Sequence, residues 1–208
     1  MQPADVHARE ADEAQDQALM ARVQAGDEAA FATLMERWER PTRAVIGRIV
    51  LNAAEADELA QEAFVRVWLK RDKFNAGANF RPWLFAIAVN LARNRLRWWR
   101  RQPVVSLDEW DKPSAADEHS HRKLRPSDAL AAERNTAASI MEHSERAAAV
   151  RDAVAALPPD LRVAVVLFEF EQMSHAEIAA TVGATAKAVE TRIYRAKEKL
   201  RTMLRKWA

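Results

Sequence analysis

The sequence contains no cysteine and only four glycines among its 208 residues. The absence of cysteine excludes disulfide bonds and zinc–thiolate sites, and it is typical of proteins that work in a reducing cytoplasm. Unbroken apolar runs such as 163–168 are far too short to cross a bilayer. The polar, acidic N-terminus also lacks the apolar core of a signal peptide. We therefore expect a cytoplasmic protein with no membrane insertion.

Features that would indicate an enzyme are scarce as well. The sequence has no glycine-rich loop of the kind that cradles phosphates, and its five histidines show no metal-ligand spacing on one helix face. They are His7, His119, His121, His143 and His175. A weak metal site at His119 and His121 is the alternative to two solvated side chains. We expect no catalytic activity, no cofactor and no bound metal.

The residues that are abundant favour helices. Alanine, leucine, arginine and glutamate dominate, which predicts an all-α protein. Residues 1–17 are expected to be a disordered tail, and 18–101 a first helical domain. Residues 102–131 mix proline, serine, aspartate and histidine without periodicity, which indicates a flexible linker. Residues 132–208 form the second domain, so we expect a helical bundle joined to a helix-turn-helix.

Glycine and proline mark several expected helix ends. Gly26 terminates one helix and Asp27 caps the next. Pro41 is expected to kink or break that next helix, and Pro158 and Pro159 to stop a later one. The stretch 160–170, "DLRVAVVLFEF", predicts a buried helix, although its β-branched run also fits a strand.

Charge is distributed unevenly along the chain. The net charge is +2, but residues 1–62 carry 13 acids and 6 bases, a net of −7, and residues 63–208 carry 17 acids and 26 bases, a net of +9. The basic segment 63–208 indicates a polyanion as its partner, and the acidic segment 1–62 indicates a different partner.

The C-terminal stretch "SHAEIAATVGATAKAVETRIYRAKEKL" has the pattern of a helix-turn-helix. Ser174 and Glu177 form a capping box, Gly183 supplies the turn, and Thr185 caps the second helix. Ile178, Val182, Val189 and Ile193 are predicted to face inward. The second helix then points Lys187, Glu190, Thr191, Tyr194 and Arg195 outward, which suits a DNA major groove. An amphipathic hairpin with a solvated basic face is the alternative.

Four stretches of the sequence resemble, in order, the landmarks of the extracytoplasmic-function (group 4) bacterial sigma factors. They are "QAGDEAAFATLMERW", "ADELAQEAFVRVWLKRDKF", "FRPWLFAIAVNLARNRLR" and "LPPDLRVAVVLFEFEQMSHAEIAATVGATAKAVETRIYRAKEKLR". The resemblance covers about 18–101 (region 2) and 146–206 (region 4). It implies an initiation factor that binds the β′ and β subunits of core RNA polymerase and recognises promoter DNA. An anti-sigma factor is a common further partner in this family.

The resemblance also assigns a role to the helix that contains "DELAQEAFVRVW". A second stripe on this helix lies away from its inward residues and consists of Asp57, Glu58, Gln61, Glu62 and Val65. In the family this helix docks on a coiled coil of the largest polymerase subunit. A solvated acidic face is the alternative interpretation of the stripe.

Aromatic residues and arginines interleave farther along the chain, as on surfaces that capture single-stranded DNA. By the resemblance, Phe74, Phe85 and Asn90 hold an unpaired base of the −10 element. Arg93 and Arg97 are expected to contact −10 DNA as well, because arginines of this pattern can follow the phosphates. Asn90 lies within an apolar stretch, where an amide is costly unless it is paired. Trp83 is expected to pack in the core instead.

The −35 element is expected to be read by Lys187, Glu190, Thr191, Arg192, Tyr194 and Arg195. Glu190 departs from the family pattern, in which this position is often basic. It either forms an intrahelical pair with Lys187 or Lys197, or accepts a hydrogen bond from the N4 amine of a cytosine.

Two other classes of protein are the alternatives. A conventional helix-turn-helix regulator, which binds operators alone and usually as a dimer, explains the C-terminal helices only. An enzyme has little support from the sequence.

Overall fold

The computed structural model describes the backbone of residues 3–101 and 137–207, with side chains from 12–101 and 145–207. All regular elements within these ranges are helical. The helices are α1 (Pro3–Gln24), α2 (Glu28–Val50), α3 (Ala53–Leu69), α4 (Phe80–Arg101), α5 (Ala137–Ala155), α6 (Pro159–Val165), α7 (His175–Val182) and α8 (Ala186–Met203). The all-α prediction is therefore confirmed. The expected linker 102–131 and its histidines lie outside the described residues.

The N-terminal helices begin at the capping residues that the sequence supplies. Asp27 accepts a hydrogen bond from the backbone N–H of Ala30 at 3.0 Å, and Asn52 caps α3 in the same way. Gly26 has a φ of +90°, a left-handed conformation that favours glycine. Pro41 does not break α2, which continues as one helix to Val50.

The N-terminus differs from the sequence prediction, because α1 begins at Pro3 where a disordered tail was expected. Side-chain contacts with α2 account for its order from residue 12 onward. Asp16 is buried and accepts a hydrogen bond from the indole N–H of Trp38 at 3.0 Å. Arg37 lies 3.1 Å from the same carboxylate. Burial raises the pKa of Asp16, whereas Arg37 and Trp38 favour its charged form.

The ambiguous stretch after Pro159 is helical. α6 continues directly into a π-helical turn, Val166–Phe170, and residues 163–167 are all buried. Periodicity alone could not decide between helix and strand, because a fully buried segment of either kind lacks a polar face. The contacts of α6 with α8 determine the outcome.

Buried side chains of both halves of the chain form one hydrophobic cluster. Phe80, Phe85 and Leu34 belong to it, and so do Leu167 and Ile178 from the C-terminal half. Two sets of helices are therefore packed together: the N-terminal module (α1–α4) and the C-terminal module (α5–α8). α7 lies along α4, while α6 and the π-helical turn contact α2.

Candidate nucleic-acid interfaces

The C-terminal module contains the helix-turn-helix that the sequence predicts. Ser174 accepts a hydrogen bond from the backbone N–H of Glu177 at 3.2 Å, and its own N–H donates to the Glu177 carboxylate at 2.7 Å. Gly183 ends α7 with a φ of +65°, and the Thr185 hydroxyl accepts from the N–H of Ala188. Each cap satisfies one backbone N–H in the first turn of its helix, and Gly183 provides the turn between α7 and α8.

Burial of one side of α8 determines which side chains point outward. Val189, Ile193 and Ala196 are buried against the rest of the module. The opposite side, here called the α8 face, consists of the exposed residues Lys187, Glu190, Thr191, Tyr194 and Arg195. Arg192, which the sequence also assigns to DNA, is half-buried at the edge of this face.

Glu190 is ion-paired on the α8 face. The ammonium group of Lys187 lies 2.9 Å from its carboxylate, one helical turn away. This hydrogen bond and the charge of Lys187 lower the pKa of Glu190. Lys197, the other partner considered from the sequence, pairs with Glu169 at 2.8 Å instead. The intrahelical pair predicted for Glu190 is therefore present, and its partner is Lys187.

A second basic surface lies on the N-terminal module, around an open cavity of about 200 Å³ between the C-terminal end of α3 and α4. We call it the cavity surface; its lining residues are Arg66, Lys70, Lys73, Trp83, Ala86, Ile87 and Asn90. Asn90 is exposed at the rim of this cavity, so its amide does not carry the burial cost inferred from the apolar sequence around it. The basic residues of the cavity were missed, because their clustering depends on how α3 meets α4.

The structure does not support the prediction that Phe74 and Phe85 stack on a base at this surface. Phe74 and Phe85 are only 4% and 0% exposed and cannot stack on a base in this structure. Phe74 packs edge-on against Trp83 at 5.1 Å between ring centroids, and Phe85 packs against Trp38 at 5.9 Å. Trp83, expected in the core, is half-buried and also lines the cavity. Aromatic spacing along a sequence does not show which ring of a packed cluster is outermost.

The two arginines assigned to the −10 element lie in different surroundings. Arg97 is exposed and donates to Asn94 on its own helix. Arg93 reaches the C-terminal module instead, where its guanidinium donates to the carbonyl of Val182 at 3.4 Å and to the carboxylate of Asp160 at 3.2 Å.

The outer side of α3 combines acidic and apolar side chains. Asp57, Glu58, Gln61, Val65 and Leu69 are exposed on it, and we call them the α3 face. Val65 and Leu69 are 56% and 70% exposed and lie one helical turn apart on this face. Leu69 was not singled out from the sequence.

Ion pairs surround the α3 face. Arg43 lies 3.4 Å from Asp57, and Arg95 lies 3.4 Å from Glu58. Glu62, also predicted to bind polymerase, accepts a hydrogen bond from Arg66 at 3.0 Å. Arg66 also lines the cavity, so Glu62 lies between the α3 face and the cavity surface.

Two absences hold for the described part of the chain. No helix among them is long and apolar enough to cross a membrane. No cluster of three or more potential metal ligands was found in the same part of the chain.

Comparison with known proteins identifies both modules. Residues 34–102 match the family described as Sigma-70 region 2, and residues 147–200 match Sigma-70, region 4. The chain is 34% identical over 185 residues to the RNA polymerase sigma-H factor of Pseudomonas aeruginosa, which covers 88% of this chain and 91% of the relative. It is 33% identical over 183 residues, with the same coverage, to the ECF RNA polymerase sigma-E factor of Escherichia coli K12.

Two solved structures share the fold of this chain. CnrH in complex with the cytosolic domain of CnrY matches with a TM-score of 0.64 and 25% identity, covering 93% of this chain and 99% of that one. The sigma factor RpoE of Bartonella quintana, in complex with the anti-sigma factor NepR, matches with a TM-score of 0.60 and 22% identity, covering 84% and 96%. Sigma factors are DNA-binding transcription initiation factors and not enzymes. The chain belongs to the sigma-70 family of RNA polymerase sigma factors, in its extracytoplasmic-function group.

Proposed function

We propose that this chain is an alternative sigma factor that binds core RNA polymerase through its α3 face, reads the −35 element with its α8 face, and melts and reads the −10 element with its cavity surface. The observation that carries the proposal is the presence of two separate basic surfaces on two modules of one chain. A regulator that binds an operator through its helix-turn-helix alone needs only one of them.

The α8 face suits duplex DNA. A helix held from behind by Val189 and Ile193 presents its N-terminal turns to the major groove, as in other helix-turn-helix proteins. Lys187 and Arg195 supply positive charge for phosphates or guanine acceptors. The Thr191 hydroxyl donates to the backbone carbonyl of Lys187 at 2.9 Å, so its oxygen is left to accept a hydrogen bond.

The cavity surface suits an unpaired base with its phosphates. Trp83 offers part of an aromatic face for stacking, and the Asn90 amide can donate and accept at a base edge. Lys70 and Lys73 add charge at the same rim, where a flipped nucleotide brings its phosphate. Phe74 packs against Trp83, and Phe85 packs against Trp38 in the core. This assignment retains Asn90 and Arg97 from the sequence and replaces the stacking phenylalanines by Trp83.

The α3 face suits a basic, partly apolar protein surface. Its carboxylates favour a partner of opposite charge, and Val65 and Leu69 supply the apolar centre that protein interfaces need. Core polymerase, through its β′ and β subunits, is the partner proposed for this face. An anti-sigma factor is proposed as a competing partner, because two similar sigma-type structures are complexes, one of them with a named anti-sigma factor.

The test is transcription in vitro with purified core polymerase and a promoter library. The chain should bind core polymerase and direct transcripts from a subset of templates that share −35 and −10 sequences. Core polymerase alone and the chain alone are the controls. A chain that shifts duplex promoter DNA by itself but never directs polymerase would instead be an operator-binding regulator, and the proposal would be wrong.

A further inference from the structure

The N-terminal helix α1 precedes residue 34, at which the match to Sigma-70 region 2 begins, and it is nevertheless well packed on the N-terminal module. Leu19, Met20 and Val23 of this helix are buried. The carboxylate of Asp16 adds its polar contacts with α2. These contacts fix the position of α1 and of the polar side chains at its flanks.

One of those polar side chains holds the connecting segment, residues 70–79, which joins α3 to α4. This segment contains a short 3-10 turn, Arg71–Lys73, and is otherwise irregular. The side-chain amide of Gln24 donates to the carbonyl of Arg71 at 3.0 Å and to the carbonyl of Phe74 at 2.8 Å. Because an amide nitrogen carries two N–H groups, a single glutamine bridges the start of the turn and the residue that follows it.

A second glutamine holds the other end of the connecting segment. Gln17 lies seven residues before Gln24, about two helical turns away and so on the same side of α1. Its amide donates to the carbonyl of Ala78 at 3.4 Å and to the side-chain oxygen of Asn79 at 3.3 Å. These contacts meet the segment just before α4 begins at Phe80.

The connecting segment supplies part of the cavity surface. Lys70 and Lys73 line the cavity, and Trp83 lines it as well. The ring of Phe74 packs against Trp83 at 5.1 Å between centroids. The hydrogen bond from Gln24 to the backbone of Phe74 therefore fixes a residue that lies between one cavity lysine and the cavity tryptophan.

We propose that Gln17 and Gln24 are positioning residues for recognition of the −10 element: they hold the connecting segment so that Lys73 and Trp83 keep their places at the cavity surface. The positioning role rests on the proposed function of that surface, whereas the contacts of the two glutamines do not. By this proposal α1 contributes to −10 recognition without contacting the base itself. A role in stability alone is the alternative that the experiment must separate from it.

The test variant is Gln17→Met/Gln24→Met in the full-length chain, because methionine is neutral, unbranched and of similar size but has no N–H donor. The matched control, Gln15→Met, makes the same change at an exposed position of α1. A second control, Val45→Ala, removes buried methyl groups from α2 and leaves both glutamines in place. Circular dichroism and denaturant unfolding give the helicity and stability of each variant. Gln24→Met alone repeats the comparison with a smaller change.

Hydrogen exchange of the free chain tests whether the glutamines hold the connecting segment. The N–H groups of Phe74 and Ala78 are hydrogen-bonded in its turns. They should exchange about tenfold faster in the test variant and at the wild-type rate in Gln15→Met, since the test variant loses hydrogen bonds that restrain these turns. Unchanged exchange in the test variant would overturn the proposal. Equal acceleration of the amides of α2 would also overturn it, because the loss would then be one of general stability.

Selection from a library randomised at the −10 and −35 elements, with holoenzyme, tests the positioning role. The test variant should lose about five- to tenfold of its preference at one or more −10 positions and keep its −35 preference. Val45→Ala should keep both preferences although it is less stable. An unchanged −10 preference in the test variant would leave the glutamines with a structural role only and overturn the proposal. A wild-type holoenzyme without any −10 preference would refute the proposed function and the positioning role together, whereas the exchange rates would still show whether α1 holds the segment.

Discussion

The α8 face and the cavity surface are both basic, but the fold leaves them in different states. On the α8 face, Lys187 and Tyr194 are strongly exposed, and Lys187 is paired within its own helix to Glu190. On the cavity surface, Arg66 pairs with Glu62 of α3, and beside it Arg93 is bonded to the C-terminal module. The residues of the α8 face are therefore all in solvent, whereas one cation beside the cavity surface is held by the C-terminal module.

This difference agrees with the order of events that promoter opening demands. Duplex DNA exists before polymerase acts, so a surface that reads it can be permanently exposed. A single-strand surface is useful only after melting, so a nearby cation can be bonded within the protein until then. Substitutions in either surface test this difference.

The largest effect is expected from the residues beneath the cavity surface. Phe85→Ala should lower the free energy of unfolding by about 3–5 kcal/mol, because the ring is fully buried against Trp38. Denaturant unfolding followed by circular dichroism measures this. A variant of wild-type stability with a base-specific defect would restore Phe85 to the DNA-binding set.

The next effect concerns the α3 face. Asp57→Lys/Glu58→Lys should weaken binding to core polymerase by about 2 kcal/mol, roughly 30-fold, as expected for the centre of an interface. The exposed pairs with Arg43 and Arg95 contribute at most about 1 kcal/mol each, so the fold should persist.

Binding is measured by titrating labelled chain with core polymerase. A control variant, Glu145→Lys/Asp152→Lys, makes the same charge change at exposed positions of α5 and should bind like wild type. Duplex binding through the α8 face should also be unchanged. Undiminished association of the Asp57/Glu58 variant with polymerase would show that this face is only solvated.

A smaller effect separates the two DNA surfaces from each other. Trp83→Ala in holoenzyme should cost about 1–3 kcal/mol of open-complex stability through lost stacking, with closed-complex binding spared. Trp83→Phe should keep much of the open-complex stability that Trp83→Ala loses, because a phenyl ring can still stack on a base. Asn90→Ala should change the base preference at one position of the −10 element.

Lys187→Ala should give the opposite pattern, with weaker closed binding and normal melting once bound. Footprinting of closed complexes and permanganate reactivity of melted bases measure the two steps. If both variants fail at the same step, the two surfaces do not act on different elements.

The success of sequence reasoning differed between the two modules for a physical reason. The helix-turn-helix follows from local signals, since Ser174, Glu177, Gly183 and Thr185 each act within four residues of themselves. The cavity surface depends on tertiary packing, and the sequence could not show that Trp83, rather than Phe74 or Phe85, is the outer ring. Contacts between the modules, such as Arg162 with Ile49, have a separation of 113 residues and leave no periodic trace.

The helix cap of α7 provides a modest test of the scaffold behind the α8 face. Ser174→Ala removes the hydroxyl that accepts from the N–H of Glu177, and it should cost about 1 kcal/mol of stability. Ser174→Asp should keep the cap. Chemical denaturation of the three proteins gives the comparison, and equal midpoints would show that the capping box does not limit stability.

The smallest expected effect, and the most specific one, is at Glu190. Because Lys187 lowers its pKa, the Glu190 carboxylate is ionised at neutral pH and repels nearby phosphates. It also holds the Lys187 ammonium 2.9 Å away, so one basic group of the α8 face is partly neutralised. Glu190→Ala should therefore bind duplex promoter DNA as well as wild type or better.

A carboxylate can accept a hydrogen bond from the N4 amine of a cytosine, so Glu190→Ala should also lose preference for cytosine at one position of the −35 element. Glu190→Gln provides a control, because an amide keeps the acceptor but not the charge. Selection from a randomised −35 library with the three proteins decides the matter: an unchanged sequence preference in Glu190→Ala would leave this residue as the partner of Lys187 alone.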